Sequence, residues 1–365
     1  MGTLMDQKQL IGKPVETIPT PALVVEAEAL EQNLRMMADY FAGRAAKLRP
    51  HFKSHKCVTL AHRQIAAGSA VGITCAKLAE AEALVAGGVK DVLIANQVVG
   101  PAKAQRLAAL NKKALVRCAV DCAANVVELG VAAVAAGVTV PVLVEVDIGM
   151  RRCGVPAGEP AIALAQLVSR TPGLRFDGLQ GYEGHLVMTP DVAERRRKII
   201  DAFQPLLATR RAIAAGGLPC PILSGGGTGS YDITGNIEGI DEVQAGSYVL
   251  MDNHYKKVRP EFRNALSILA TIISATDSYS VADVGLKGMG NDFGLPAVAG
   301  APEAKPRYIA EEHVPLDGLA LPVGSKVRLI PSHGCTTCNL HRRLWIARHG
   351  VIEDVWPIEA SGCLE

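Results

Sequence analysis

"KLRPHFK", residues 47–53, decides how this chain is read, together with the wider cluster "RPHFKSHK" at 49–56. Two lysines, two histidines and an arginine in eight residues have three readings: a solvated loop, a phosphate-binding patch, or the end of a buried strand presenting a reactive amine. The third reading makes 47–53 the first of eight short β-rich runs. The others are 70–76, 91–97, 114–121, 141–147, 175–182, 220–226 and 242–250. Helical patterns lie between most of them, such as "LAEAEALVAGG", "PAKAQRLAAL" and "PDVAERRRKIIDAFQPLLATRRAIAAGG", and several end on glycine as helix C-termini do. Strands alternating with helices imply a parallel sheet. Eight such units predict an α/β fold of the closed (β/α)8 TIM-type barrel kind. An open doubly wound sheet is the alternative; the absence of a glycine fingerprint after the first strand weakens it.

Beyond about residue 260 the pattern changes. "SKVRLIPSH" and "RRLWIARHGVIEDVWPI" are short alternating runs separated by turn residues, and "ARHGVIEDV" predicts a hairpin around His349–Gly350. A C-terminal all-β domain therefore follows the barrel.

The bulk numbers agree with a soluble globular chain. It has 365 residues, enough for a large α/β domain and a smaller second one, and is 49% hydrophobic and 20% charged. A formal net charge of +2 makes no case for nucleic acid or an acidic membrane surface as partner. No apolar run reaches the length of a membrane span, and "MGTLMDQKQLIGKPVETIPT" has no apolar signal core, so the expected location is cytoplasmic. Nine dispersed cysteines predict reduced thiols and no disulfide framework.

In a barrel of this kind the chemistry collects where the strands end. Those ends read Lys53, Asn96–Gln97, Asp121, Asp147 with Arg152 beyond it, Tyr182, Ser224–Ser230 and Ser247–Tyr248. In "SGGGTGSY", 224–231, four glycines with Ser and Thr follow a strand, so backbone N–H groups can converge on an anion. "AGSY", 245–248, would complete a phosphate site at the seventh and eighth strands; a plain glycine-rich turn is the competing reading. A partly desolvated Lys53 near a bound phosphate is a Schiff-base candidate, and lysine, phosphate and barrel together suggest pyridoxal 5'-phosphate.

These motifs carry a resemblance across nearly the whole chain. "TPALVVEAEALEQNL", "RPHFKSHK", "EVDIGMRRCGV", "GLQGYEG", "SGGGTGSYD", "EVQAGSYVLMD", "VADVGLKGMGNDFGLP" and "PSHGCTTCNLHRRLWIARHGVIEDVWPI" are similar to the fold-type III pyridoxal-phosphate enzymes of the D-threonine aldolase and D-serine dehydratase group, which have the alanine racemase-like barrel. The resemblance implies that Lys53 carries the cofactor and that Arg152 and Tyr182 contact its ring. It gives the phosphate cradle as Gly225, Gly226, Gly227, Thr228, Gly246 and Ser247, to which the strand-end reading adds Tyr248. It implies D-3-hydroxy-amino acids as small-molecule substrates and a homodimer, and it joins the first residues to the β domain. The expected division is 21–260 for the barrel, with 1–20 and 261–365 forming the β-strand domain.

"PSHGCTTCNLH", 331–341, has three readings. Half of a zinc ribbon lacks a second CxxC, and a redox pair lacks thioredoxin-like surroundings. The resemblance implies instead that His333 and Cys335 ligate a divalent metal beside the substrate. In an extended strand these two residues would face one side, and two protein ligands leave positions open for substrate. A thiolate favours Zn2+ over Mn2+ or Mg2+.

Two departures matter. The aldolases of the group pair His with Asp, whereas His333 and Cys335 match the dehydratases. The aldolases also carry a histidine six residues after the tyrosine; here that position is Met188, and His185 lies three residues after Tyr182, either as a replacement base or as a mere loop residue. Removal of the β-hydroxyl proton would release glycine and an aldehyde; removal of the α-proton would release a keto acid and ammonia. The aldolase is the expected activity and D-serine or D-threo-3-hydroxyaspartate dehydratase the alternative. A racemase, which needs no metal, and a non-catalytic carrier of the cofactor stand behind both.

Overall fold

Val140–Asp147 is buried at every position but its last, as a parallel strand covered on both faces must be. It is the centre of an eight-stranded parallel sheet. The computed structural model describes residues 7–365 and divides them into two units. One unit comprises residues 38–53, 61–246 and 363–365. Its strands follow the predicted sequence order: Lys47–Leu48, Ile73–Cys75, Asp91–Gln97, Leu115–Val120, Val140–Asp147, Leu174–Gly181, Ile222–Gly225 and Glu242–Val243. Each pairs in parallel with the next from the second onward, and the eighth pairs with the first. Parallel bridges Leu48–Ala70 and His51–Thr74 close the ring. The barrel expected from the alternation is thus present, with helices such as Leu78–Ala86, Pro101–Leu110, Ala123–Ala136 and Val192–Ala215 between the strands.

The two expected end strands are shorter than read. Regular structure in 47–53 stops at Leu48. Pairing nevertheless runs on to His51, whose N–H donates to Ala245 O at 3.0 Å, while the N–H of Thr74 donates to Pro50 O at 2.8 Å. Pro50 has no N–H of its own to give a ladder. The chain then turns into a 3-10 helix, Phe52–Ser54, so Lys53 stands on that turn and not in the strand. In the run 242–250 the regular strand likewise ends at Val243, although Gln244 N–H still donates to Gly225 O at 2.9 Å, and Ser247–Val249 is a 3-10 helix.

The other unit comprises residues up to 37, 54–60 and 247–362. Its sheet places Ala22–Glu26 between Leu266–Ala275, antiparallel, and Arg343–Arg348, parallel. The expected boundaries at 20 and 260 therefore shift: the strand Ala22–Glu26 belongs to the β unit, and the return from the barrel comes at 246. The physical reason is pairing, since the backbone groups of Ala22–Glu26 find their partners on Leu266–Ala275 and Arg343–Arg348. Val15, Ile18, Ala22, Val24, Leu269, Trp345 and Ile352 form its apolar core. The predicted hairpin is present: Arg343–Arg348 pairs with Val351–Pro357 across His349 (φ 50) and Gly350 (φ 76), the two left-handed residues that a tight hairpin turn requires.

All nine cysteines are thiols, outside any disulfide. No helix among the described residues is long and apolar enough to cross a membrane.

Candidate active site

Within the barrel unit, a layer of polar side chains spans the ends of the strands. Gln97 Nε2 donates to Asp121 Oδ2 at 3.1 Å and to Glu145 Oε2 at 2.7 Å. Gln244 Nε2 donates to Gln180 Oε1 at 3.1 Å and Ser224 Oγ at 2.9 Å. Burial pushes the Glu145 carboxyl up, against the Gln97 hydrogen bond and the nearby charge of Arg152, while Asp121 adds to the rise. Gln97, Asp121 and Ser224 were legible as strand ends. Glu145, Gln180 and Gln244 were not, because each lies within or between runs whose neighbours read as apolar core.

Arg152 is held by the loop after Val140–Asp147. Asp147 Oδ1 accepts the N–H groups of Gly149 and Arg151 at 2.9 and 3.0 Å, and Gly154 N–H donates to Asp121 Oδ2 at 3.1 Å. Val155–Pro156 then pairs back onto Val146–Asp147. The tight loop brings the Arg152 guanidinium over the ring of Tyr182, with Cζ 5.4 Å from the centroid. A Cβ built on Gly227 would stand 3.3 Å from the same ring, so Tyr182 lies directly against the glycine-rich loop. Arg152, Tyr182 and residues 225–228 are thereby assembled in one place.

The loop itself is built around a residue that sequence reasoning passed over. Gly226 has φ +73, a left-handed conformation that favours glycine. Its N–H donates to Glu183 Oε2 at 3.2 Å, and Gly227 N–H donates to Ser230 Oγ at 3.1 Å. Two of the amides expected to meet an anion are therefore bonded within the protein. Thr228 is buried.

Lys53 is half-buried on its 3-10 turn, and its N–H donates to His51 Nδ1 at 3.4 Å. His185 is exposed in the segment after Tyr182. A Cβ on Gly149 would lie 3.2 Å from its Nε2, so glycine at 149 leaves that face of the imidazole clear. Met188 is half-buried nearby in sequence.

The expected metal ligands lie in the β unit, but not on a strand. His333 is the N-cap residue of a short helix, Gly334–Leu340, and Cys335 is in its first turn. The two side chains meet, joined by a hydrogen bond, through the bend into that helix and not through strand alternation. Asp252, fully buried, sets the bend: its Oδ2 accepts Gly334 N–H at 3.0 Å and its Oδ1 accepts Tyr255 N–H at 2.8 Å. Asp292 Oδ2 bonds His333 Nδ1, and Asp292 Oδ1 accepts the Thr336 hydroxyl at 2.8 Å. Phe293 packs between His254, at 4.1 Å between ring centroids, and His333, at 4.4 Å. Burial disfavours the charged His333 ring, but Cys335 and Asp292 outweigh it and raise its pKa to about 9. Among the described residues no third His, Cys, Asp or Glu joins these two in a ready-made metal cluster.

Ser247 Oγ lies 3.9 Å from Cys335 Sγ, so this expected cradle residue faces the candidate metal ligand. The Tyr248 ring is fully buried against Phe262, with centroids 5.9 Å apart. Cys338 is fully buried, its thiol pushed well up by burial, and His341 is tied to Gly288 O at 2.7 Å.

Comparison with known proteins fixes the class. Residues 25–254 match the alanine racemase N-terminal domain family, and 265–347 match the putative serine dehydratase domain. The 3-hydroxy-D-aspartate aldolase of Paracoccus denitrificans is 38% identical over 371 residues, covering 98% of this chain and 96% of its own. The crystal structure of D-threonine aldolase from Filomicrobium marinum superposes with a TM-score of 0.94 at 38% identity, covering 97% of this chain and 99% of that one. The D-threo-3-hydroxyaspartate dehydratase of Delftia is 29% identical over 358 residues, covering 88% and 92%. The chain belongs to the alanine racemase-like family of pyridoxal-phosphate-dependent enzymes, in the branch that carries the serine dehydratase domain.

Proposed function

We propose that this enzyme cleaves D-3-hydroxy-amino acids by a retro-aldol reaction, giving glycine and an aldehyde. The observation that carries the reading is the aldolase likeness over the whole length of both chains, at 38% identity.

The residues present fit pyridoxal 5'-phosphate. Gly226 and Gly227 form a tight loop in which a Cβ would meet Thr234 and Val243 at the first and the Tyr182 ring at the second, Lys53 supplies a half-buried amine, and Arg152 and Tyr182 supply a cation and an aromatic face. In this reading Lys53 holds the cofactor's aldehyde carbon, loop 225–230 with Gly246 holds its phosphate, and Arg152 and Tyr182 orient its ring. His333 and Cys335 fit a divalent metal. With Nδ1 committed to Asp292, the His333 ring presents Nε2 as ligand atom, and the thiolate of Cys335 favours Zn2+ over Mn2+ or Mg2+. When bound, the cofactor supplies a sink for negative charge at the substrate α-carbon and the metal a Lewis acid for its oxygens.

His185 Nε2 takes the proton from the β-hydroxyl. The Cα–Cβ bond then breaks, the β-carbon leaves as an aldehyde, and protonation of the α-carbon gives glycine. An imidazole within hydrogen-bond reach of a hydroxyl is a common acceptor for its proton. The dehydratase reading rests on the His-x-Cys pair; there the α-proton is removed, hydroxide leaves, and a keto acid and ammonia result. The working assembly in this proposal is a homodimer, which sedimentation velocity tests.

One assay separates the two chemistries. Enzyme with pyridoxal phosphate and Zn2+ or Mn2+ is given D-threonine, D-serine and D-threo-3-hydroxyaspartate, and both glycine and ammonia are followed. Glycine with an equal amount of aldehyde is expected. Ammonia with keto acid, and no glycine, would make this enzyme a dehydratase.

A further inference from the structure

Glu183 is completely buried, and among the described residues no Lys, Arg or His pairs with it. Burial raises its pKa, and hydrogen bonds oppose the rise. A buried carboxyl without a cation is costly unless its oxygens are used. Apart from a bond to its own backbone N–H, its bonds go to one place. Oε2 accepts Gly226 N–H at 3.2 Å, Oε1 accepts the Thr234 hydroxyl at 2.6 Å, and the Ser230 hydroxyl also bonds it. These three residues stand at the start of the glycine-rich loop, at its end, and in the short helix Tyr231–Thr234 that follows. Loop 225–230 is thus wrapped around one side chain.

The loop has no slack of its own. A Cβ on Gly226 would stand 3.1 Å from Thr234 Cγ2 and Val243 Cγ1, so the backbone is seated tightly where Glu183 holds it. Glu183 also follows Tyr182 directly, and the ring of Tyr182 rests against Gly227. The carboxyl therefore fixes the loop relative to the aromatic ring beside it.

We propose that Glu183 is the positioning residue of the phosphate cradle, holding loop 225–230 in the shape that receives the cofactor's phosphate before the cofactor arrives. This rests on the reading, made above, that the loop binds that phosphate. Its function follows from preorganisation: a loop already ordered loses no further freedom on binding, so phosphate contacts appear in full as affinity. Removing the carboxyl leaves the Gly226 amide and the Thr234 hydroxyl buried and unsatisfied, which the loop can relieve only by changing shape. Glutamine keeps an oxygen for Gly226 N–H and turns an NH2 toward Thr234, whose hydroxyl can accept as well as donate.

The test compares two ligands on the full-length enzyme freed of cofactor. Pyridoxal 5'-phosphate and pyridoxal, which lacks the phosphate, are titrated against wild type, Glu183→Ala and Glu183→Gln, following the absorbance of the bound ligand. The fold is checked by circular dichroism. Wild type prefers the phosphorylated form. Glu183→Ala loses about 10- to 100-fold in affinity for pyridoxal phosphate and less than about threefold for pyridoxal, and Glu183→Gln restores the preference. If Glu183→Ala does not fold, Thr234→Val reads the same quantity, with a smaller loss confined to the phosphorylated ligand. A variant that keeps the wild-type preference, or loses both ligands equally, overturns the inference. A wild type with no preference for the phosphate would instead overturn the cradle itself.

Discussion

Asp292 bonds Nδ1 of His333 from a loop 41 residues earlier in the chain. The same carboxylate accepts the Thr336 hydroxyl, so one side chain fixes both the imidazole and the helix turn behind it. A ligating histidine is commonly oriented in this way by a carboxylate on its far nitrogen. Asp292→Ala is expected to lower metal affinity about 10- to 100-fold without unfolding the β unit. Metal per chain after dialysis against a chelator of known strength measures this; unchanged retention removes Asp292 from the site.

In the proposed site Cys335 would set the metal preference. Replacing a soft thiolate by a hard carboxylate moves selectivity from Zn2+ toward Mn2+ and Mg2+. Cys335→Asp should therefore bind Zn2+ more weakly than wild type, with Mn2+ retained or improved. Competitive loading of the metal-free protein with both ions gives the ratio directly. An unchanged ratio would show that the thiol does not touch the ion.

Lys53 is read as the amine for the cofactor. Lys53→Ala should abolish the visible absorbance of the cofactor-loaded enzyme and all turnover, and sodium borohydride should fix the cofactor covalently to a peptide containing residue 53 in wild type only. A visible band surviving the substitution would refute the assignment.

His185 is read as the base at the β-hydroxyl. His185→Asn is expected to lower kcat about 100- to 10,000-fold while leaving cofactor absorbance and metal content intact. Wild-type turnover in the variant would return His185 to the status of an ordinary loop residue.

The barrel should be acid-sensitive at Asp177. This residue is buried and accepts Arg117 Nε at 2.8 Å and Arg175 Nε at 2.5 Å. Burial works to raise its carboxyl, but the two arginines outweigh it and hold it below the usual range. A depressed folded-state pKa contributes stability above the unfolded value, near 4, which disappears as pH falls through the folded one. Asp177→Asn should cost about 3 kcal/mol at pH 7 by leaving Arg117 buried without that partner. The gap to wild type in urea denaturation should narrow below about pH 4. A gap independent of pH would mean that the charge of Asp177 is not what stabilises.

Local physics made much of this molecule legible from its residues alone. Alternating β-rich and helical runs predicted a parallel sheet, and eight units favoured closure over an open doubly wound sheet; the order of all eight strands follows from that pattern. The hairpin at His349–Gly350 follows from two residues with left-handed backbone angles. Lys53, Arg152, Tyr182 and the glycines at 225–227 were visible because strand ends and glycine runs leave local marks. Elsewhere tertiary contact decided. Ala22–Glu26 looks like any short apolar strand, and only its partners, Leu266–Ala275 and Arg343–Arg348, show that it belongs to the β unit. His333 and Cys335 do meet, but at a helix start and not on the expected strand, because Asp252, some eighty residues upstream, turns Gly334 into a helix start. Asp292 and Glu183 left no mark at all. A carboxylate reads as surface until the fold buries it, and its role is fixed by donors that sequence distance conceals: the imidazole of His333 for one, the amide of Gly226 and the hydroxyl of Thr234 for the other.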